Sequence, residues 1–174
     1  QAPLLKIFTG FNLKSWCIIG SFGSIIPIME FSRCLDKQEQ LKKSFLSLKS
    51  QEERYRKIIE LGQKAPKMTI EDQVKENLVA GCQSLLYLKL RCREGKLSLQ
   101  TSSNALISKG LAQLLVQVYD GESPEAVLRC PPHFLKEAGL LASLSPSRAN
   151  GLKSLYQKIQ KESLKFLVSK SFDR

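Results

Sequence analysis

From residue 30 onward, apolar positions recur at helical spacing. Leu41, Phe45 and Leu48 share one face of a short helix that the stretch from Ser47 to Ser50 interrupts. Ser50-Gln51-Glu52-Glu53 then has the form of a capping box: a serine hydroxyl and a glutamate three residues on satisfy free N–H groups at the next helix start. Tyr55, Ile58 and Ile59 form the apolar stripe of that second helix, and Gly62 reads as its C-cap, so the two helices make a hairpin. Ala65-Pro66 ends helical structure, and the polar residues 69–76 cross to the segment around Cys82.

There the period shortens. Residues 85–93 and 96–102 flank Glu94-Gly95, with Leu97 and Leu99 alternating against Lys96 and Ser98, the pattern of a β-hairpin. A long apolar helix over residues 105–119 turns Ile107, Leu111, Leu114, Leu115 and Val118 inward and closes at Asp120-Gly121. Ser123-Pro124 supplies an N-cap and a first-turn proline, Pro131-Pro132 opens another short segment, and Ser145-Pro146 repeats the device. The last helix carries the stripe Leu152, Leu155, Tyr156, Ile159, Phe166 and Leu167. The sum is an α+β domain in which a small antiparallel sheet of about three strands is flanked by helices, helix 105–119 being the most buried.

Residues 1–28 differ in kind. Trp16, Cys17, Ile18, Ile19, Phe22 and the Ile25-Ile26-Pro27-Ile28 run follow no helical period. Gly20, Gly23 and Pro27 break the apolar stretch before it reaches the ~20 residues a membrane helix needs, and no Arg-rich transit signature is present. The expectation is a leader over 1–28 that is disordered, processed or not translated, with Met29 opening a domain over 29–174.

Composition narrows the chemistry. With 43% hydrophobic residues the chain can build a core without disulfides, and its five cysteines (Cys17, Cys34, Cys82, Cys92, Cys130) form no C-x-x-C pair and are odd in number. They read as independent thiols in a reducing compartment, the cytoplasm. The single histidine, His133, stands beside Pro131-Pro132 as a loop or helix-start residue, which argues against a zinc site or a serine triad. The net charge is +11, and removing the leader with Lys6 and Lys14 leaves 25 basic against 16 acidic residues, so the excess belongs to the folded body. These cations are spread out with little aromatic interleaving, the mark of a solvated basic surface; neither nucleic acid nor membrane is indicated.

Two residues stand out against this background. Cys82, in Gly81-Cys82-Gln83-Ser84, lies between a polar approach and the apolar run Leu85-Leu86-Tyr87-Leu88, where a glycine suits a tight turn that fixes the sulfur. A cysteine there is also consistent with a small buried hydrophobe. Arg148 falls in the first turn of the last helix, where the helix dipole disfavours a cation by ~0.3–1 kcal/mol. It is either a solvated arginine or, with the helix start, a positive environment for an anion or a thiolate.

Ile58-Ile59-Glu60-Leu61-Gly62, Asn77, Gly81-Cys82-Gln83-Ser84, Ser108-Lys109-Gly110-Leu111 and Ser145-Pro146-Ser147-Arg148-Ala149-Asn150-Gly151-Leu152 occur in the order and spacing of the SufE family, which the chain resembles from about Glu39 to Ser169. The resemblance implies a SufE/NifU-like fold and a sulfur-transfer accessory protein. Cys82 would match the persulfide-carrying cysteine and Arg148 the supporting arginine. The implied partners are a SufS-like, PLP-dependent cysteine desulfurase and a downstream SufBCD-like scaffold that builds iron–sulfur clusters, with no cofactor or metal of the chain's own and a homodimer as a candidate assembly. Tyr87 replaces the family's usual tryptophan, and Asn104 its usual aspartate at the core helix start, where Asn104 is still able to cap. Two other readings stand beside this one. One is a cluster scaffold, which needs three or four convergent ligands such as Cys82, Cys92 and Cys130; the other is a basic binding adaptor without chemistry.

Overall fold

The computed structural model describes residues 31–172. Helices α1 (Ser32–Leu46) and α2 (Gln51–Lys64) form the expected hairpin. Two 3₁₀ turns, Ile70–Asp72 and Lys75–Asn77, lead to strands β1 (Leu86–Arg93) and β2 (Lys96–Ser103). Helix α3 (Leu106–Tyr119), the short helices α4 (Pro124–Arg129), α5 (Phe134–Glu137) and α6 (Leu140–Ser143), and the long α7 (Pro146–Phe172) complete the chain. Met29 and the leader lie outside the described residues.

Local chemistry sets most of these boundaries. The capping box is present: the Glu53 N–H donates to the Ser50 hydroxyl at 3.1 Å, and the Glu53 carboxylate accepts the Ser50 N–H at 3.3 Å. Ser123 caps α4 by accepting the Ala126 N–H at 3.3 Å, with Pro124 in the first turn. The hairpin pairs Leu86 with Ser103 and Arg93 with Lys96 through a tight turn in which Glu94 and Gly95 both have positive φ, 51° and 73°. Leu97, Leu99 and Thr101 face the core while Lys96, Ser98 and Gln100 face out.

The sheet has two strands among the described residues, not about three. A third begins and stops. Leu78 forms a single antiparallel bridge to Tyr87 on the free edge of β1, and the Val79 N–H donates to the Leu86 carbonyl at 2.8 Å. The chain then turns at Ala80-Gly81, where Gly81 has φ +81°, and the ladder cannot continue.

Helix α3 is the centre of the core. Leu111, Leu114, Leu115 and Val118 are buried as its period requires, and Gln113 is buried too, donating to Thr101 on β2 at 2.9 Å. Ile107 is only partly buried. Gly62 does not cap α2, which runs on to Lys64 and ends at Ala65, extended before Pro66. Gly62 instead lets α2 and α3 touch backbone to backbone: a Cβ on it would lie 2.5 Å from the Leu106 carbonyl oxygen, and one on Gly110 would lie 1.9 Å from the Ile58 carbonyl oxygen.

The far end of α3 is tied to α1 by cations. Lys37 donates to the Val118 and Asp120 carbonyls at 3.3 and 2.9 Å, and Arg33 to the Gly121 carbonyl at 2.6 Å, which satisfies the helix C-terminus. Both also reach the buried Glu122, at 2.6 Å from Lys37 and 2.9 Å from Arg33. Burial opposes ionisation of Glu122, but these two partners hold its carboxyl below the usual range.

The helix crossing yields a prediction. Gly110→Ala should destabilise the protein by about 3 kcal/mol, because the added methyl meets a carbonyl that cannot move without shifting α2. Gly95→Ala, with open space around it, should cost only the left-handed backbone term, about 1–2 kcal/mol. Urea midpoints of the two variants check the ranking.

Candidate functional site

Cys82 is held by its two sequence neighbours and by a helix opposite. The Gly81 turn brings the chain against α7, where a Cβ on Gly81 would stand 3.0 Å from the Ser154 hydroxyl. The Cys82 thiol donates to the Gly151 carbonyl at 3.5 Å, and a Cβ on Gly151 would lie 3.1 Å from the sulfur. Gln83 accepts a hydrogen bond from the Ser147 hydroxyl at 3.0 Å, and Ser84 donates to Ser108 at 2.7 Å. Three consecutive side chains are therefore fastened in turn to α7, α7 and α3.

The approach to this loop is fixed as well. Lys158 of α7 donates to the Glu76 and Leu78 carbonyls at 2.6 and 2.9 Å, and its partial burial lowers its pKa. Asn77 donates to the Asp72 carbonyl at 2.7 Å, while the Asp72 carboxylate pairs with Lys89 on β1.

Cys82 opens onto a cavity of about 320 Å³. Leu86, Leu111, Leu152 and Leu155 line its apolar side; Asn104, Ser108, Ser147 and Arg148 line its polar side. Among the described residues Arg148 is the only charged one in the lining, and its guanidinium has no ion pair or hydrogen bond there. Cys82 and Arg148, 66 positions apart in sequence, thus share one cavity.

Burial raises the Cys82 thiol pKa. One expectation needs correction. Asn104 does not cap α3: the N-cap position is Ala105, whose N–H donates to the Ser103 hydroxyl at 3.2 Å, and Asn104 is exposed at the cavity. Sequence reasoning quoted Ser84, Ser108, Ser147 and Gly151 only as motif residues and gave them no part in the site. The spacing of Ser147 and Gly151, i and i+4 on one helix face in the segment that carries Arg148, was the available signal.

The other thiols are elsewhere. Cys34 on α1 is fully buried and pushed up to about 12, first by burial and then by Cys130. Gln38 spans these two residues, donating to the Cys34 sulfur at 3.9 Å and the Cys130 carbonyl at 3.2 Å. Cys92 stands on β1 opposite Leu97, and His133 is the N-cap residue of α5. Among the described residues no group of three or more His, Cys, Asp or Glu side chains is placed to hold a metal ion.

The family SufE, described as an Fe-S metabolism associated domain, matches residues 39–163. The chain belongs to the SufE family. It is 34% identical over 119 residues to an uncharacterized SufE-like protein of Synechocystis sp., an alignment covering 68% of this chain and 75% of that protein. Its fold is similar to the solution structure of a hypothetical protein from Thermus thermophilus, with a TM-score of 0.65 and 31% identity over 76% of this chain and 96% of the other. An α+β domain of this family is associated with iron–sulfur metabolism. No helix among the described residues is long and apolar enough to cross a membrane.

The raised thiol pKa yields a prediction for this SufE-family site. Alkylation of Cys82 by iodoacetamide should rise with pH about a midpoint above that of a free cysteine, and Arg148→Gln should leave that midpoint in place. A downward-shifted wild-type midpoint that moves up in the variant would show that Arg148 acts on the resting thiolate.

Proposed function

We propose that this SufE-family protein accepts sulfur from a PLP-dependent cysteine desulfurase onto Cys82, stimulates that enzyme, and passes the sulfur to a SufBCD-like iron–sulfur assembly scaffold. The observation that carries the reading is that the Cys82 thiol, hydrogen-bonded to Gly151, opens onto a cavity it shares with Arg148. In the transfer, the Cys82 sulfur attacks the outer sulfur of the partner's cysteine persulfide. The partner's S–S bond breaks, and the partner cysteine leaves with the proton that Cys82 gives up. PLP belongs to the desulfurase; Cys82 needs only access to the donor.

The half-buried position of Cys82 suits both halves of the task. The raised pKa keeps the resting thiol protonated and slow toward adventitious oxidants, and the cavity shelters the added sulfur once it arrives. Release of the ties at Gln83 and Ser84 would bring the sulfur out to a docked partner. Arg148 supports the charged persulfide rather than the neutral thiol. The reading places the protein in the cytoplasm, with residues 1–28 as a leader and 29–174 as the sulfur-acceptor domain.

Cys82→Ser should abolish sulfur acceptance and desulfurase stimulation while changing unfolding free energy by less than about 1 kcal/mol. Cys92→Ser should retain full stimulation. Turnover of a cysteine desulfurase with and without each variant, together with intact mass of the acceptor, is the measurement. Stimulation that survives in Cys82→Ser overturns the proposal.

A further inference from the structure

We propose that the Cys82 cavity also takes sulfite, a small sulfur oxyanion, and discharges a Cys82 persulfide onto it as thiosulfate. This rests on the reading of Cys82 as a persulfide carrier and adds an acceptor that is not a protein.

Size is the first observation. The cavity measures about 320 Å³, at the small end of ligand pockets, and a single added sulfur atom fills little of it. The space beyond the sulfur fits a second small reactant. Charge is the second. Among the described residues the one charged group in the lining is the Arg148 guanidinium, no counter-ion pairs with it, and no carboxylate lines the cavity. Donors are the third. Ser108 accepts the Ser84 proton, so its own hydroxyl proton has no acceptor among the described residues, and the Asn104 amide is likewise unbonded. A guanidinium, a hydroxyl and an amide beside a sulfur nucleophile's seat form a donor set for an oxyanion.

The chemistry balances without an added oxidant or reductant. The sulfite sulfur lone pair forms a bond to the outer sulfur of the Cys82 persulfide, and the electron pair of the Cys82 S–S bond leaves with the cysteine sulfur. The persulfide reacts as its anion and the sulfite as hydrogensulfite, whose proton ends on Cys82, where it is donated to the Gly151 carbonyl. The raised pKa of the buried thiol favours this outcome. The products are thiosulfate and the free Cys82 thiol, with sulfur, proton and charge conserved. Arg148 offsets the repulsion between two reactants that both carry negative charge near neutral pH.

The test loads the full chain with inorganic polysulfide, confirms one added sulfur on Cys82 by intact mass and peptide mapping, removes excess donor, and adds sulfite. The expected result is loss of the added sulfur with a saturating dependence on sulfite, one thiosulfate released per loaded chain, and competition by sulfate that sodium chloride at equal ionic strength does not reproduce. Arg148→Gln should slow the discharge about tenfold, the scale of one charge-assisted hydrogen bond, and Arg148→Lys should recover part of it. Asn104→Asp, at an exposed position where folding is not at stake, should slow it by placing a negative charge in the lining. A strictly linear dependence on sulfite with equal rates in Arg148→Gln and Asn104→Asp overturns the inference and leaves the carrier reading standing. Failure of Cys82 to take up sulfur from polysulfide overturns the carrier reading and this inference with it.

Discussion

The crossing of α2 over α3 is the contact on which the rest of the molecule is built. At Gly110 the Ile58 carbonyl comes so close that a single methyl group would overlap it, and at Gly62 the Leu106 carbonyl does the same from the other helix. Two glycines cost each helix some stability, roughly 1 kcal/mol apiece relative to alanine, and the return is a separation that larger residues forbid. With α3 held at that distance, its other faces are determined. Leu111, Leu114 and Leu115 fill the core, Gln113 reaches Thr101 on the hairpin, and Ala105 and Ser108 at the opening turn face the sulfur cavity. The cavity wall on that side is thus set by a packing contact on the opposite side of the helix.

The same logic of missing side chains operates at the sulfur. Gly151 places a bare carbonyl under the Cys82 thiol, and the hydrogen bond there restrains the side chain without offering it a base. Burial raises the thiol pKa and so favours the neutral form. On the proposed carrier reading a persulfide, a stronger acid than its parent thiol, would ionise in the same place, with the apolar wall of Leu86, Leu111, Leu152 and Leu155 beside the neutral form and the wall with Arg148 beside the charged one.

The elements themselves were legible because local rules govern them. The capping box at Ser50, the proline at Pro124, the Glu94-Gly95 turn and the stripe of α3 each state their meaning within a few residues. Cys82 and Arg148, singled out from the sequence, line one cavity. What failed was whatever depends on a distant segment. Gly62 looks like a C-cap because nothing in its neighbourhood announces Leu106 and Gly110 across the crossing. The third strand shrinks to a bridge because Gly81 diverts the chain toward Ser154 on α7, more than seventy residues later. Asn104 has the chemistry of a cap, yet the strand runs one residue further and the N-cap position falls to Ala105.

Net charge is the property that changes meaning most once the fold is known. An excess of eleven cations reads as a basic surface awaiting an anionic partner, but many of these side chains have internal work. Arg33 and Lys37 close the C-terminus of α3 and neutralise Glu122; Lys158 holds the approach to Cys82; Lys89 pairs with Asp72; Lys57 lies over the Phe45 ring at 5.0 Å and donates to the Ser44 carbonyl. Each replaces water around a backbone carbonyl or a carboxylate, and each is accounted for by the fold alone. Arg148 is different. It stands in a helix first turn that disfavours its charge, in a cavity that removes part of its hydration, and without a carboxylate among the described residues to offset either cost. Among the described residues the fold supplies no partner for this cation, which is why the proposals above assign it to the sulfur that Cys82 would carry and to the anion that would take it away.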